Sequence, residues 1–376
     1  MSLHNRYPAA SDLRRAAKRR LPHFVWEFLD SGTGDETGKS RNRAALDKVL
    51  FRPDILRGDV TTDLRCSLLG QQFDLPFGIA PVGMSGLIWP DAERLLATTA
   101  ARANIPYTLS TVASQTPEMV QPVLGDHGWF QLYPPKDKDI RRDMLRRARD
   151  AGFETLVLTV DVGVASRRER QVRSGLTTPP RLTPRLLSHI AQAPAWAWAY
   201  LGHPMPRMRM IDDYAGAVSG AASNAHAGYQ MRAAPDWDYL REVRGEWHGP
   251  MVIKGIMSPE HIPALEAEGV NAIWVSNHGG RQFDAAPASI DVLPQIRAAT
   301  TLPIIIDSGF ETGLDVLRGL ALGADFVMFG RGFHHALAAL GHLGADHFVD
   351  IVKKDIEANL GQMGLSKPAE TAKNLV

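Results

Sequence analysis

The chain has 376 residues, of which 44% are hydrophobic and 22% are charged, and its formal net charge is +1. This composition is typical of a soluble globular enzyme, and the balanced charge argues against a nucleic-acid partner. One cysteine, Cys66, excludes an intrachain disulfide and a cysteine metal cluster, and we expect no metal. No window reaches the ~18 apolar residues of a membrane span, and the N-terminus lacks a secretory signal, so we expect a cytoplasmic protein.

Eight short apolar runs predict buried strands, and amphipathic segments lie between most of them. The predicted strands, in chain order, are 77–81, 105–110, 129–133, 155–161, 251–254, 272–276, 304–307 and 326–330. The clearest predicted helices are 91–104, 137–151, 258–268 and 313–322. Alternating strands and helices indicate a parallel sheet, and eight such units predict an α/β fold closed as a (β/α)8 TIM barrel rather than an open doubly wound sheet.

The whole chain, 1–376, is predicted to form a single barrel domain with two additions. Residues 1–75 form an N-terminal extension, which we expect to be helical with a short β element that plugs the bottom of the barrel. Residues 162–250 form a long insertion after the fourth strand. So long an insertion in a compact fold is usually functional.

Polar residues gather where the predicted strands end, which is where barrels of this kind place their active sites. They are Ser110, Gln131, Tyr133, Thr159, Asp161, Lys254, Ser276, His278, Arg281, Asp307 and Arg331. Buried polar groups are unfavourable unless they have partners, so a bound cofactor is the natural partner for this set. The glycine-containing ends of the last two strands, Asp307-Ser308-Gly309 and Gly330-Arg331, favour a phosphate site.

The segment Ser276-Asn277-His278-Gly279-Gly280-Arg281 directly follows a buried strand. It places a potential base, His278, three residues before a fixed cation, Arg281. The two glycines allow a ligand to approach the backbone. Such a loop suits proton abstraction from a small acid whose carboxylate is held still.

Across about residues 10 to 365 the chain resembles the FMN-dependent α-hydroxy-acid oxidases and dehydrogenases, such as glycolate oxidase, L-lactate dehydrogenase and mandelate dehydrogenase. The motifs that carry the resemblance are Ser276 to Gln282, Leu158-Thr159-Val160-Asp161, Arg167-Arg168-Glu169, Phe130-Gln131-Leu132-Tyr133, Ile79-Ala80-Pro81 and Leu320 to Asp325. The resemblance implies FMN as cofactor and oxidation of a small L-2-hydroxy acid to the 2-oxo acid.

The resemblance also implies a role for each matching residue. His278 takes the substrate proton and Asp161 stabilises the imidazolium. Arg168 and Arg281 bind the carboxylate, Tyr133 hydrogen-bonds the substrate, and Lys254 lies at the flavin edge. The residues implied to hold the flavin ring are Pro81, Val82, Gly83, Ser110, Gln131, Thr159 and Ser276. Those implied to hold its ribityl phosphate are Asp307, Ser308, Gly309, Gly330 and Arg331.

Three positions depart from the family pattern. Phe28, in the substrate-binding region, stands where the family usually has tyrosine, which removes a hydrogen-bond donor worth roughly 1.5–3 kcal/mol to a charged group. Val112 replaces the tryptophan of glycolate oxidases and leaves room for a bulkier acid. Glu311 replaces an arginine near the phosphate, and a carboxylate there would repel that phosphate. Gly83 resembles the bacterial dehydrogenase branch, since oxidases have alanine there.

The insertion combines aromatic residues, apolar residues and arginines over 176–210, which suits an anionic lipid surface. The dehydrogenase branch uses this region to sit on the inner membrane and pass electrons to quinone; a lid or an oligomer contact is the alternative. Family members are often tetramers, so we expect a homo-oligomer. Other functions remain open: an oxidase that makes hydrogen peroxide, a Schiff-base aldolase using Lys254, or a barrel without activity.

Overall fold

The structure, a computed structural model, describes residues 2–176, 183–214 and 233–376. Ten strands are found in these ranges. They are β1 (Cys66–Leu68), β2 (Gln71–Phe73), β3 (Phe77–Ile79), β4 (Tyr107–Ser110), β5 (Gly128–Leu132), β6 (Thr155–Thr159), β7 (Met251–Ile256), β8 (Ala272–Val275), β9 (Ile304–Ile306) and β10 (Phe326–Phe329).

The helices up to the insertion are α1 (Leu3–Arg6), α2 (Ala10–Arg20), α3 (His23–Asp30), α4 (Thr37–Asp47), α5 (Ser85–Ile88), α6 (Ala92–Ala103), α7 (Pro117–Leu124) and α8 (Lys138–Asp150). The described insertion helices are α9 (Glu169–Arg173), α10 (Pro184–Ala191), α11 (Pro194–Ala199), α12 (Arg209–Asp212) and α13 (Trp237–Glu246). The remaining α-helices are α14 (Ile262–Ala267), α15 (Ser289–Ala299), α16 (Gly313–Ala321), α17 (Arg331–Leu340) and α18 (Gly344–Gln362). Short 3-10 helices occupy Gly125–His127, Pro259–His261, His278–Gly280, Gly341–Leu343 and Pro368–Asn374.

Strands β3 to β10 form a closed barrel in chain order, with β10 paired to both β9 and β3. Every neighbouring pair is parallel, so all carboxyl ends lie on one rim. The strands are buried on both faces, which explains why they read as continuous apolar runs. The predicted (β/α)8 barrel is confirmed.

The predicted β element at the barrel bottom is the antiparallel hairpin of β1 and β2. Leu68 and Phe73 from this hairpin join a buried cluster with barrel residues that include Trp129, Trp274 and Phe326. The Phe73 ring meets the Phe326 ring edge-on at 5.6 Å. The hairpin therefore fills the interior of the barrel with apolar side chains, as expected.

The N-terminal extension also supplies helices that contact the loops at the carboxyl ends of the strands. Helices α3 and α4 reach the carboxyl rim, where Thr33 N–H donates to the Gly280 carbonyl at 3.1 Å. A Cβ on Gly280 would lie 2.6 Å from the backbone nitrogen of Lys39. This contact requires glycine, and it brings the extension against the loop that carries His278.

The described part of the insertion packs on α3 and the first barrel units. Trp196, an aromatic residue that we expected at a lipid surface, is instead buried: its indole meets the Phe24 ring edge-on at 6.1 Å and donates to the Leu87 carbonyl at 3.2 Å. Parts of the insertion, 177–182 and 215–232, lie outside the described residues, including part of the predicted lipid-facing region. Among the helices described, none has the length and apolar character needed to cross a bilayer.

Candidate active site

The imidazole of His278 lies between a carboxylate and a phenol at the mouth of the barrel. Its Nδ1 is 3.1 Å from both carboxylate oxygens of Asp161, and its Nε2 is 3.4 Å from the hydroxyl of Tyr133. A carboxylate accepts hydrogen bonds, so Nδ1 carries the proton and Nε2 keeps a lone pair. This tautomer is the one that can take a proton at Nε2.

Burial and charge set the protonation states of this pair. Burial lowers the pKa of His278 below its usual value, although Asp161 opposes the shift. Burial alone would raise the pKa of Asp161, but the charges of His278 and Lys254 hold it below the usual value. At neutral pH the pair is therefore a neutral imidazole beside a carboxylate, which is the resting state of a general base.

The loop that carries His278 has an unusual backbone conformation. His278 itself has a φ of 59°, a left-handed conformation that is uncommon for residues with a side chain. The side chain of Asn277 accepts from the Gly280 N–H at 3.2 Å and so stabilises the tight turn. Strained conformations of this kind concentrate at functional sites because the surrounding structure holds them in place.

Lys254 is a buried cation at the end of β7, with 4% of its surface exposed. Its Nζ donates to the Ser276 hydroxyl at 2.7 Å and lies 3.0 Å from a carboxylate oxygen of Asp307. Burial alone would lower the pKa of Lys254, but Asp307 and Asp161 raise it above the usual value. A Schiff-base lysine needs a neutral amine, so this environment disfavours the aldolase alternative.

Two serine hydroxyls join the loops after β8 and β9. Ser276 donates to Asp307 at 2.6 Å and accepts from the backbone N–H of His278 at 3.0 Å. Ser308 donates to the same carboxylate oxygen at 2.7 Å and accepts from the Gly279 N–H at 3.0 Å. The loop that carries His278 and the buried ion pair of Lys254 and Asp307 are thus parts of one hydrogen-bonded network.

A row of polar side chains crosses the ends of three adjacent strands. Ser110 on β4 donates to the Gln131 side-chain oxygen at 2.9 Å, and the Gln131 amide donates to Thr159 at 3.0 Å. All three are buried, and Thr159 is directly paired in register with Lys254 on β7. The row offers donors and acceptors to a ligand lying over the barrel mouth.

Glycines follow the ends of β3, β9 and β10. At Gly83, in the segment Pro81-Val82-Gly83, a Cβ would lie 2.5 Å from a methyl group of Val112. Gly309 has a φ of +92°. Gly330 is the N-cap of α17, whose first residue is Arg331. A helix N-terminus presents free N–H groups that suit a phosphate.

The arginines are placed differently from the simplest expectation. Arg281 donates to the carbonyls of Phe28 at 2.8 Å and Leu29 at 3.0 Å, and Arg331 donates to those of Leu29, Ser31 and Gly279 at 3.0 to 3.2 Å. Both guanidinium groups therefore bind carbonyls at the C-terminal end of α3, which helices leave without internal partners.

Arg168, and two of the positions that differ from the family pattern, lie near His278, Arg281 and Arg331. Arg168, with a φ of 43°, donates to Ser166 at 3.1 Å, and burial together with the charge of Arg168 lowers the pKa of His278. Phe28 is half-buried, with the Arg281 guanidinium 6.0 Å from its ring centre. Glu311 is exposed and close enough to Arg331 to interact with it electrostatically.

Sequence reasoning missed Asn42 of helix α4. Its side-chain amide donates to the Asn277 side-chain oxygen at 2.9 Å and accepts from the Asn277 amide at 2.6 Å. This reciprocal pair fixes the residue next to His278. The two asparagines are far apart in sequence, and no local pattern around Asn42 predicts the contact.

The residues at the rim suit FMN on structural grounds. The polar row and the buried ammonium of Lys254 match a flat ring with several carbonyl and imide groups. The helix N-terminus at Gly330 matches a phosphate. A closed barrel with these residues at the carboxyl ends of its strands is typical of flavin-binding oxidoreductases.

Comparison with known proteins agrees with this class. The profile of the FMN-dependent dehydrogenase family matches residues 17–376. An L-lactate dehydrogenase of Ectopseudomonas mendocina (strain ymp) is 39% identical over 373 residues, covering 98% of each chain. The chain belongs to the FMN-dependent dehydrogenase family, and FMN is its cofactor.

Two solved structures show the same fold over 98% of both chains. The crystal structure of the monotopic membrane protein (S)-mandelate dehydrogenase has a TM-score of 0.91 and 33% identity. That of mandelate oxidase has a TM-score of 0.82 and 32% identity. Both a dehydrogenase and an oxidase are therefore similar to this chain.

Proposed function

We propose that the protein oxidises an L-2-hydroxy acid to the 2-oxo acid with FMN and passes the electrons to a quinone or a similar acceptor. The observation that carries the proposal is the triad of Asp161, His278 and Tyr133, with the His278 Nε2 lone pair on the side away from Asp161. A positioned base of this kind is what removal of a substrate proton requires.

The residues of the rim divide the chemistry among them. His278 takes the substrate proton at Nε2, and Asp161 stabilises the imidazolium that forms. Arg168 binds the substrate carboxylate together with Arg281, whose guanidinium is held in place by the Phe28 and Leu29 carbonyls, and Tyr133 hydrogen-bonds the substrate. FMN, when bound, supplies the two-electron acceptor. Lys254 holds a fixed positive charge beside the polar row.

The experiment that tests the function is anaerobic flavin reduction. The FMN-loaded protein is mixed with L-2-hydroxy acids of increasing size, and bleaching of the flavin absorbance is followed. We expect bleaching by at least one acid, with larger acids tolerated because Val112 is small. An FMN-loaded sample that no acid bleaches would show that the barrel is not a hydroxy-acid dehydrogenase.

The identity of the electron acceptor distinguishes the proposed dehydrogenase from the oxidase alternative. The dehydrogenase turns over without oxygen when a quinone or dye is present and makes little peroxide in air. The oxidase makes peroxide in air at a rate that matches substrate consumption. Gly83 favours the first outcome, since it resembles the dehydrogenase branch.

The rate of flavin reduction is expected to depend on pH through His278. Only the neutral imidazole accepts a proton, and burial lowers its pKa below the usual 6.5. The rate therefore rises as the pH increases through that lowered pKa and is constant above it. Asp161→Asn removes the charge that raises this pKa, so its midpoint moves further down and its maximal rate falls. Stopped-flow traces from pH 4.5 to 9 measure both; an upward shift would contradict the assignment.

We propose that the insertion binds the cytoplasmic face of the inner membrane. The monotopic (S)-mandelate dehydrogenase supports this, and so do apolar side chains exposed on the described insertion: Leu187, Trp198, Leu201 and Met205.

We also propose that the protein is a homotetramer, because it resembles a family whose members are often tetramers. Light scattering, which measures the mass of the assembly, tests this proposal.

Vesicle sedimentation tests the membrane proposal. Burying one large apolar side chain stabilises by ~1.5–3 kcal/mol, so Trp198→Glu is expected to lower partitioning into anionic vesicles ~10–100-fold. Leu56→Glu is the control, because Leu56 is 98% exposed outside the insertion. Equal losses for the two variants, or none for Trp198→Glu, would exclude this surface.

A further inference from the structure

A buried histidine that the proposed chemistry does not use lies in the first turn of α17. His334 is 1% exposed, and both of its ring nitrogens have partners. Nδ1 lies 2.9 Å from the carbonyl oxygen of Gly330, and Nε2 lies 2.7 Å from the hydroxyl of Ser85. A carbonyl only accepts, so Nδ1 carries the proton and Nε2 accepts from the serine.

The two partners of His334 belong to different loops. Gly330 follows β10 and is the N-cap of α17. Ser85 begins α5 and follows the loop 80–84 that leaves β3, and its hydroxyl lies 3.0 Å from the Val82 carbonyl. The imidazole therefore joins the loops at the seam where β10 and β3 close the barrel.

The same two loops carry residues expected to bind the two ends of the cofactor, the flavin ring and the phosphate. Pro81, Val82 and Gly83 are the expected ring contacts, and Gly330 and Arg331 are the expected phosphate contacts. The loops also lie close together, since a Cβ placed on Gly330 would come within 3.7 Å of a methyl group of Val82. Their separation sets the distance between a ring site and a phosphate site.

We propose that His334 is a positioning residue for FMN, which fixes the phosphate-binding N-terminus of α17 relative to the ring-binding loop through Ser85. This inference rests on the proposed function. A site held in its bound geometry before the ligand arrives binds more tightly, because less ordering is needed on binding.

The imidazole of His334 keeps its two hydrogen bonds over the physiological pH range. Burial lowers the pKa of His334 to about 4, so the imidazole stays neutral and retains its Nδ1 proton above that pH. The titratable side chain next in sequence, His335, stacks on Trp26, and its Nε2 has no hydrogen-bond partner within the part of the chain described.

The test is the affinity for FMN, measured by quenching of free flavin fluorescence when the apoprotein is titrated. Net hydrogen bonds contribute about 1 kcal/mol each, so His334→Leu is expected to raise the Kd ~5–30-fold. His335→Leu is the matched control, since it removes a neighbouring buried histidine that bridges no loops. It is expected to lower the melting temperature and leave the Kd within about twofold of the wild-type value.

Ser85→Ala removes the hydroxyl that contacts His334 Nε2, and combining it with His334→Leu completes a double-mutant cycle. If the two residues act through one contact, the double variant binds FMN about as weakly as the weaker single variant. Additive losses, an unchanged Kd for His334→Leu, or an equal rise for His335→Leu would each overturn the inference. A wild-type protein that binds no FMN would instead overturn the proposed function.

Discussion

His278→Gln is expected to slow anaerobic flavin reduction by a 2-hydroxy acid ~10²–10⁴-fold, the range typical for loss of a positioned general base. Glutamine keeps a hydrogen-bonding side chain of similar size but cannot accept a proton near neutral pH. FMN binding should change little, because the imidazole contacts Asp161 and Tyr133. Stopped-flow absorbance of the loaded variant measures the rate.

A matched control comes from a histidine away from the barrel mouth. His127 is partly buried and its Nε2 lies 2.9 Å from the Asn104 side-chain oxygen, so His127→Gln removes a partly buried imidazole without touching the proposed site. It should reduce its flavin at the wild-type rate. A His278→Gln variant within about threefold of the wild type would show that another group takes the proton.

Lys254→Met is expected to lower the free energy of unfolding by about 3–5 kcal/mol and to abolish FMN retention, because it leaves Asp307 as a buried carboxylate without its cation. Lys254 and Asp307 are 4% and 8% exposed, and their charged atoms lie 3.0 Å apart. Urea unfolding of the apoprotein measures the first effect, and flavin content after gel filtration measures the second.

A second substitution separates the buried charge from lost packing. Lys254→Met combined with Asp307→Asn removes both charges and should recover most of the stability, while FMN binding stays weak because the ammonium is still missing. A single variant as stable as the wild type, or a double variant less stable than either single variant, would contradict a buried ion pair at this position.

The strands and the residues at their ends could be predicted because both depend on local sequence. The fourth predicted strand, 155–161, overshoots β6 (Thr155–Thr159) by two residues, although Val160 N–H still bonds to the Lys254 carbonyl at 2.9 Å. The predicted helix 258–268 divides into a 3-10 turn and α14. Pro263 explains the break, because proline lacks an N–H and favours the first turn of a helix.

The sequence by itself determined that a (β/α)8 barrel gathers His278, Asp161, Lys254 and the polar row on one rim, because parallel strands in a closed barrel all end on the same side. Tertiary structure alone decided which partners these groups take. In the folded molecule Arg281 and Arg331 donate to carbonyls at the end of α3, His334 joins the loops after β3 and β10, and Trp196 of the insertion is buried against α3. Each of these contacts joins segments far apart in the chain, so only the closed packing of the folded molecule brings them within hydrogen-bonding distance.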